Sequence, residues 1–257
     1  MRAACCQFDI AWENKEANYR RVETLVKTAA LQPGTLLLLP EMFATGFTMN
    51  AASVAEPVEG PTANFLSGLA RDHHIFIQAG LVLHQSDEKH PRNEALVFDP
   101  EGQRLARYAK MHLFSFANEP AHYTAGESGI LFKWQEATVS PAICYDLRFP
   151  EFFRWAIRER AQVFSIIACW PAPREEHWLA LLRARAIENQ CFVVAVNRCG
   201  RDPSGLSYGG RSQIIDPRGF VLADGGNQEG IIQAEINLEA QARYRREFPA
   251  LADVRLI

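Results

Sequence analysis

The chain has 257 residues, enough to bury a large core as a single α/β domain. It is 48% hydrophobic and 22% charged, the composition of an ordinary globular protein. With 27 Lys and Arg against 30 Asp and Glu the net charge is −3, so bulk charge argues against nucleic acid as a partner, and the basic clusters at residues 154–160 and 243–246, broken by acids, read as solvated helix faces.

In chain order, residues 2–8 predict a short strand. No apolar stretch long enough for a signal peptide precedes Asp9, Trp12 and Glu13, and no later run approaches a membrane span, so a cytoplasmic location with no membrane partner is expected. A helix follows with Val22, Leu25, Val26 and Ala29 on one face, stopped by Pro33 and Gly34. The apolar run 35–39 then predicts a strand buried on both faces, ending at Pro40 and Glu41. A second helix turns Phe65, Leu66 and Leu69 inward and leads to a strand over 75–83, on whose approach His73 and His74 are too divergent to share a metal if extended.

Two segments resemble each other: 95–102 and 212–219 are each an apolar strand entering an Asp-Pro-x-Gly turn. Proline presets φ and glycine accepts positive φ, so both predict β-hairpins and together an internal two-fold repeat. Between them, a strand over 138–143 ends at Cys144, and an amphipathic helix places Phe149, Phe152, Phe153, Ala156 and Ile157 on one face, with Pro150 and Glu151 in its first turn. Strands over 162–169, 191–196 and 230–236 and a helix from about 174 to 189 complete the pattern. The alternation predicts two mixed sheets with helices outside, one single domain over 1–257. The tail from about 238 to 257 reads as a short helix plus an extended arm, suited to dimer contacts. Cys5, Cys6, Cys144, Cys169, Cys191 and Cys199 show no paired metal spacing, so reduced thiols and no zinc site are expected.

Three residues stand at strand ends. Cys144 has the place of a nucleophile near a helix start, where the dipole would lower its pKa, although a cysteine closing an apolar strand is also a common inert core residue. Glu41 leaves a buried strand, where a charge needs a partner or becomes a base. Lys110 falls on the face of Ala106 and Tyr108 and is either an edge residue reaching solvent or a buried cation paired with a carboxylate such as Glu41. Together they supply a base, a thiol and an oxyanion-stabilising ammonium.

The segments Leu39-Pro40-Glu41-Met42-Phe43, Tyr108-Ala109-Lys110-Met111-His112-Leu113-Phe114 and Ile143-Cys144-Tyr145-Asp146-Leu147-Arg148-Phe149-Pro150-Glu151 resemble, in order, the signature segments of the nitrilase superfamily. The likeness extends to residues 183–189 and 208–212, and residues 41–49 and 112–119 look most like the omega-amidase branch. The resemblance implies an αββα sandwich that assembles as a homodimer or larger homo-oligomer, with no metal or cofactor. It implies Glu41 as general base, Lys110 and the backbone N–H of Tyr145 as oxyanion donors, Cys144 as nucleophile and Glu119 as a carboxylate orienting lysine and substrate. It also implies hydrolysis of the distal amide of 2-oxoglutaramate or 2-oxosuccinamate, through a thioester. A relative acting on N-carbamoyl or other linear amides, an acyltransferase, or a catalytically silent interaction module are the competing readings. Such a small-molecule substrate needs a cationic anchor, for which Arg148, Arg174 and Arg211 are candidates. Arg148 is expected to pair with Asp146 or Glu151 instead. Phe47, Phe116 and Trp170 are expected as pocket walls.

Overall fold

The computed structural model describes residues 1–84 and 89–255. The first half of the chain supplies β1 (Arg2–Gln7), α1 (Lys15–Ala29), β2 (Leu36–Leu38), a one-turn α2 (Ala51–Val54), α3 (Pro61–His73), β3 (Phe76–Leu83), β4 (Arg92–Phe98) and β5 (Arg104–Ala109). The second supplies β6 (Phe132–Trp134), β7 (Ala137–Ile143), α4 (Pro150–Arg158), β8 (Val163–Ala168), α5 (Glu175–Asn189) and β9 (Phe192–Asn197). It continues through a small ribbon of β10 (Cys199–Arg201) and β11 (Ser207–Gly209) to β12 (Gln213–Ile215), β13 (Val221–Asp224), β14 (Gly230–Glu235) and α6 (Leu238–Glu247).

Two six-stranded sheets result, ordered β14-β1-β2-β3-β4-β5 and β13-β12-β9-β8-β7-β6. In the first, β1, β2 and β3 pair in parallel, and β4 and β5 add antiparallel. In the second, β7, β8 and β9 pair in parallel, and β12 and β13 add antiparallel. Five strands of one half therefore repeat the pairing of five in the other, the two-fold repeat that the Asp-Pro-x-Gly turns predicted. The turns match in detail: Asp99 Oδ1 accepts from the N–H of Glu101 and Gln103, and Asp216 Oδ1 from those of Arg218 and Phe220. Gly102 and Gly219 close them at φ of 78° and 87°, which a side chain would disfavour.

Side-chain alternation sets the layers. Ala3, Cys5, Leu36 and Leu38 join the core shared with Val139, Ile166 and Val194 of the other sheet, whereas Ala4, Cys6, Leu37 and Leu39 pack with Tyr19, Val22 and Val26 of α1 and Leu66 and Leu69 of α3. On the far side, Phe153 of α4 and Trp178 and Leu182 of α5 cover the second sheet. The result is the four-layer αββα sandwich. Its tail folds back on its own domain: Gln241 Nε2 of α6 donates to the carbonyls of Gln162 (2.9 Å) and Gln190 (3.0 Å), and a single 3-10 turn follows at Ala250–Asp253.

The helix predicted with Pro150 and Glu151 in its first turn does begin at Pro150, after a 3-10 turn over Cys144–Arg148. One local expectation is corrected. His73 closes α3 and His74 is its left-handed cap, so this pair sits on a helix end rather than a strand.

Candidate active site

Glu41, Lys110, Glu119 and Cys144 meet at one end of the strand bundle, where the second sheet stacks on the first. Lys110 follows β5 directly and keeps the ladder, its N–H donating to Asn93 O at 2.9 Å. Its Nζ donates to Glu41 Oε1 at 2.8 Å and to Glu119 Oε2 and Oε1 at 2.9 and 3.1 Å. All three side chains are 0–1% exposed. Burial works against the lysine charge, but Glu41 and Glu119 overcome it and hold the ammonium well above its ordinary pKa. Of the two readings of Lys110, the buried paired cation is the observed one.

Glu41 is held by three donors. Oε1 accepts from Lys110 and from Asn93 Nδ2 at 2.7 Å, and Oε2 from the backbone N–H of Cys169 at 2.9 Å. The Cys169 thiol donates to the Glu41 carbonyl at 3.1 Å. Glu119 enters on a 3-10 turn and accepts from Asn93 Nδ2 (3.1 Å) and the N–H of Phe114 (2.6 Å). The nearby Tyr123 sends its hydroxyl to Thr48 O.

Cys144 has φ of +46°, a left-handed conformation that costs a non-glycine residue roughly 1–3 kcal/mol. Met42 (φ 45°) and Asn118 (φ 59°), the neighbours of the two carboxylates, are left-handed too. Strain therefore collects at all three turns that present the site. The elbow at Cys144 is clamped by Asp146, which sequence reasoning did not single out: its carboxylate accepts from the N–H groups of Ile143 and His112, from Tyr108 OH at 2.7 Å, and bonds His112 Nδ1 at 2.8 Å. His112 stacks on Phe149 at 3.8 Å and serves this clamp.

The expected low pKa of Cys144 is corrected. Burial pushes the thiol well above its ordinary value, and the Glu41 charge and hydrogen bond add to this more than Lys110 offsets. Two carboxylates already face one ammonium, so a resting thiolate would be a third anion in the same pocket. The geometry suits a thiol that gives up its proton to Glu41 as it attacks.

A cavity of about 440 Å³ opens over this floor. Cys144, Tyr145, Glu41, Lys110, Phe47, Trp170, Arg148 and Arg174 line it, with Phe116, 82% exposed, at the rim. Trp12, Met49 and the Asp202–Leu206 loop complete the mouth, residues that carried no sequence signal because the chain delivers them from remote turns. Arg211 lies elsewhere: its Nη2 pairs with Asp224 at 2.9 Å and it does not line the cavity, which removes it as an anchor candidate. Arg148 does not take the pairing expected of it, since Asp146 is occupied; its Nη2 lies 3.3 Å from His177 Nδ1 and its guanidinium 4.7 Å from the Trp170 ring.

The sequence model of the carbon-nitrogen hydrolase family matches residues 2–246, almost the whole sandwich and every residue of this floor. The chain belongs to that family. This carbon-nitrogen hydrolase is 38% identical to the 2-oxoglutaramate amidase of Bacillus subtilis (strain 168), over 98% of its length and 96% of the relative's. It is 35% identical to the omega-amidase YafV of Escherichia coli (strain K12), over 98% and 96%. A crystal structure of a CN-hydrolase superfamily protein from Xanthomonas campestris, with an arsenic adduct in its active site, superposes with a TM-score of 0.94 at 34% identity, covering 100% of this chain and 98% of the other. Fold, family and relatives agree that the carbon-nitrogen hydrolase acts on amides, and the relatives' names are those of the branch that the sequence resembles.

Proposed function

We propose that this hydrolase cleaves the distal amide of a small 2-oxo acid, 2-oxoglutaramate or 2-oxosuccinamate, through a thioester on Cys144. The observation that carries the reading is the buried Glu41–Lys110–Glu119 cluster at the foot of the cavity that Cys144 lines. The relatives' substrates supply the amide class.

Glu41 takes the thiol proton as Sγ attacks the amide carbon. The carbonyl oxygen becomes an oxyanion, stabilised by the Lys110 ammonium and the backbone N–H of Tyr145. Glu119 holds Lys110 in place from the other side. The C–N bond breaks as Glu41 returns its proton to the nitrogen, and ammonia leaves. A water then loses a proton to Glu41 and attacks the thioester, a second tetrahedral state collapses, and the thiolate recovers its proton. The net change is amide plus water to carboxylic acid plus ammonia.

Ammonia release across a panel tests the assignment. 2-Oxoglutaramate is expected to exceed glutamine, asparagine and simple nitriles by about two orders of magnitude or more in kcat/KM. Equal rates on glutamine, or a preference for nitriles, would overturn it.

A further inference from the structure

The mouth of the cavity holds two guanidinium groups that no carboxylate among the described residues meets. Arg148 follows the nucleophile by four residues, and Arg174 follows β8 through a 3-10 turn, so the adjacent parallel strands β7 and β8 each deliver one. Arg148 lies over the Trp170 ring at 4.7 Å, and Arg174 lies 5.5 Å from the rings of both Phe114 and Phe116. All five side chains line the cavity that Cys144 lines. Among the described residues neither arginine has a carboxylate partner, and the nearby acids are taken. Glu41 is held by Lys110, Asn93 and Cys169, and Asp146 by Tyr108, His112 and Ile143.

Asp202, the remaining acid on the lining, is satisfied by its own loop. Its Oδ1 accepts from Ser204 N (2.9 Å), Ser204 Oγ (2.6 Å) and Leu206 N (3.0 Å), and its Oδ2 from Tyr208 OH (3.2 Å). The rim thus keeps two guanidiniums without a carboxylate partner, above a floor on which two carboxylates share the one ammonium of Lys110. An arginine seated on an aromatic face keeps its in-plane N–H edge free, the edge that meets a planar carboxylate with two parallel hydrogen bonds.

We propose that Arg148 and Arg174 form a paired anchor that selects amides whose far end is a carboxylate, above all one with an adjacent oxo oxygen in the same plane. The inference deepens the functional reading and rests on Cys144 being the group that attacks the amide. A neutral amide of equal length would leave both guanidiniums unpaired, so the pair favours the acid over the neutral chain. The anchor binds the part of the substrate that does not react, so it acts on KM more than on kcat.

The experiment compares wild type with Arg148→Gln and Arg174→Gln on 2-oxoglutaramate and on pentanamide, a neutral amide of the same length, by ammonia release. In each variant the ratio of kcat/KM for the acid over the neutral amide is expected to fall about tenfold or more, mainly through KM, with partial recovery in Arg174→Lys, which restores charge without the fork. A second arm follows alkylation of Cys144 by iodoacetamide, itself a small neutral amide. 2-Oxoglutarate is expected to protect the wild-type thiol, and each variant to need about tenfold or more of it for equal protection. Equal losses on acid and neutral amide, or unchanged protection, would overturn the anchor. A wild-type enzyme that ignores 2-oxoglutaramate yet cleaves an N-carbamoyl amino acid, with the same arginine dependence, would instead overturn the substrate reading and leave the anchor standing.

Discussion

Cys144 is held as a thiol by the same cluster that is proposed to activate it. Burial and the Glu41 charge raise its pKa, and Lys110 only partly offsets them. A raised pKa keeps the neutral form dominant below it, so ultraviolet thiolate absorbance, wild type minus Cys144→Ala, should show no inflection between about pH 6 and about pH 9. An inflection below about pH 7 would mean a preformed thiolate and would remove the need for Glu41 as base. Glu41 and Cys144 were legible because each is a polar residue closing an apolar strand, and Lys110 because alternation along its strand puts it on the face of Ala106 and Tyr108. Asn93 and the Cys169 N–H were not: they reach Glu41 across 52 and 128 residues of chain, and only the folded sheets reveal that contact. The direction of the thiol shift was also hidden, because it depends on how many charges share the floor.

At the scale of elements, the position of Glu41 depends on how closely β3 passes the end of β2. Gly80 N–H donates to Pro40 O and Gly80 O accepts from Phe43 N–H, both at 3.2 Å, so the strand brackets the glutamate on both sides. A Cβ at residue 80 would lie 2.6 Å from Glu41 Cα and from Met42 N, both backbone atoms that cannot move aside alone. Gly80→Ala should therefore cost about 1–3 kcal/mol of stability, read as a lowered Tm. It should also reduce kcat by more than tenfold if Glu41 is the base as proposed, since displacement of a catalytic group is expensive in rate. Unchanged kcat with a lowered Tm would show that Glu41 does not need this fit. The sequence announced the strand and its apolar faces by alternation, but not this approach, since a glycine within a strand looks alike whether or not another backbone lies against it. The 3-10 turn at Cys144–Arg148 was hidden for a similar reason: the four hydrogen bonds of Asp146 that hold it come largely from Tyr108 and His112, 38 and 34 residues away in the chain.

Across the whole molecule, the site exists only because two equivalent halves stack. The first half brings Glu41 after β2 and Lys110 after β5, with Glu119 in the connection that follows; the second brings Cys144 after β7 and both rim arginines. Neither half holds the proposed base and nucleophile together, which is why the two-fold repeat was readable from its turns while the asymmetric placing of these residues needed the signature segments. The central claim is that Cys144 forms the covalent bond to substrate, and ammonia release by Cys144→Ala, with circular dichroism on the same sample, tests it most directly. The account predicts a native spectrum, because the change removes little volume, and turnover reduced by about four orders of magnitude or more. A well-folded variant that still releases ammonia within tenfold of wild type would contradict it.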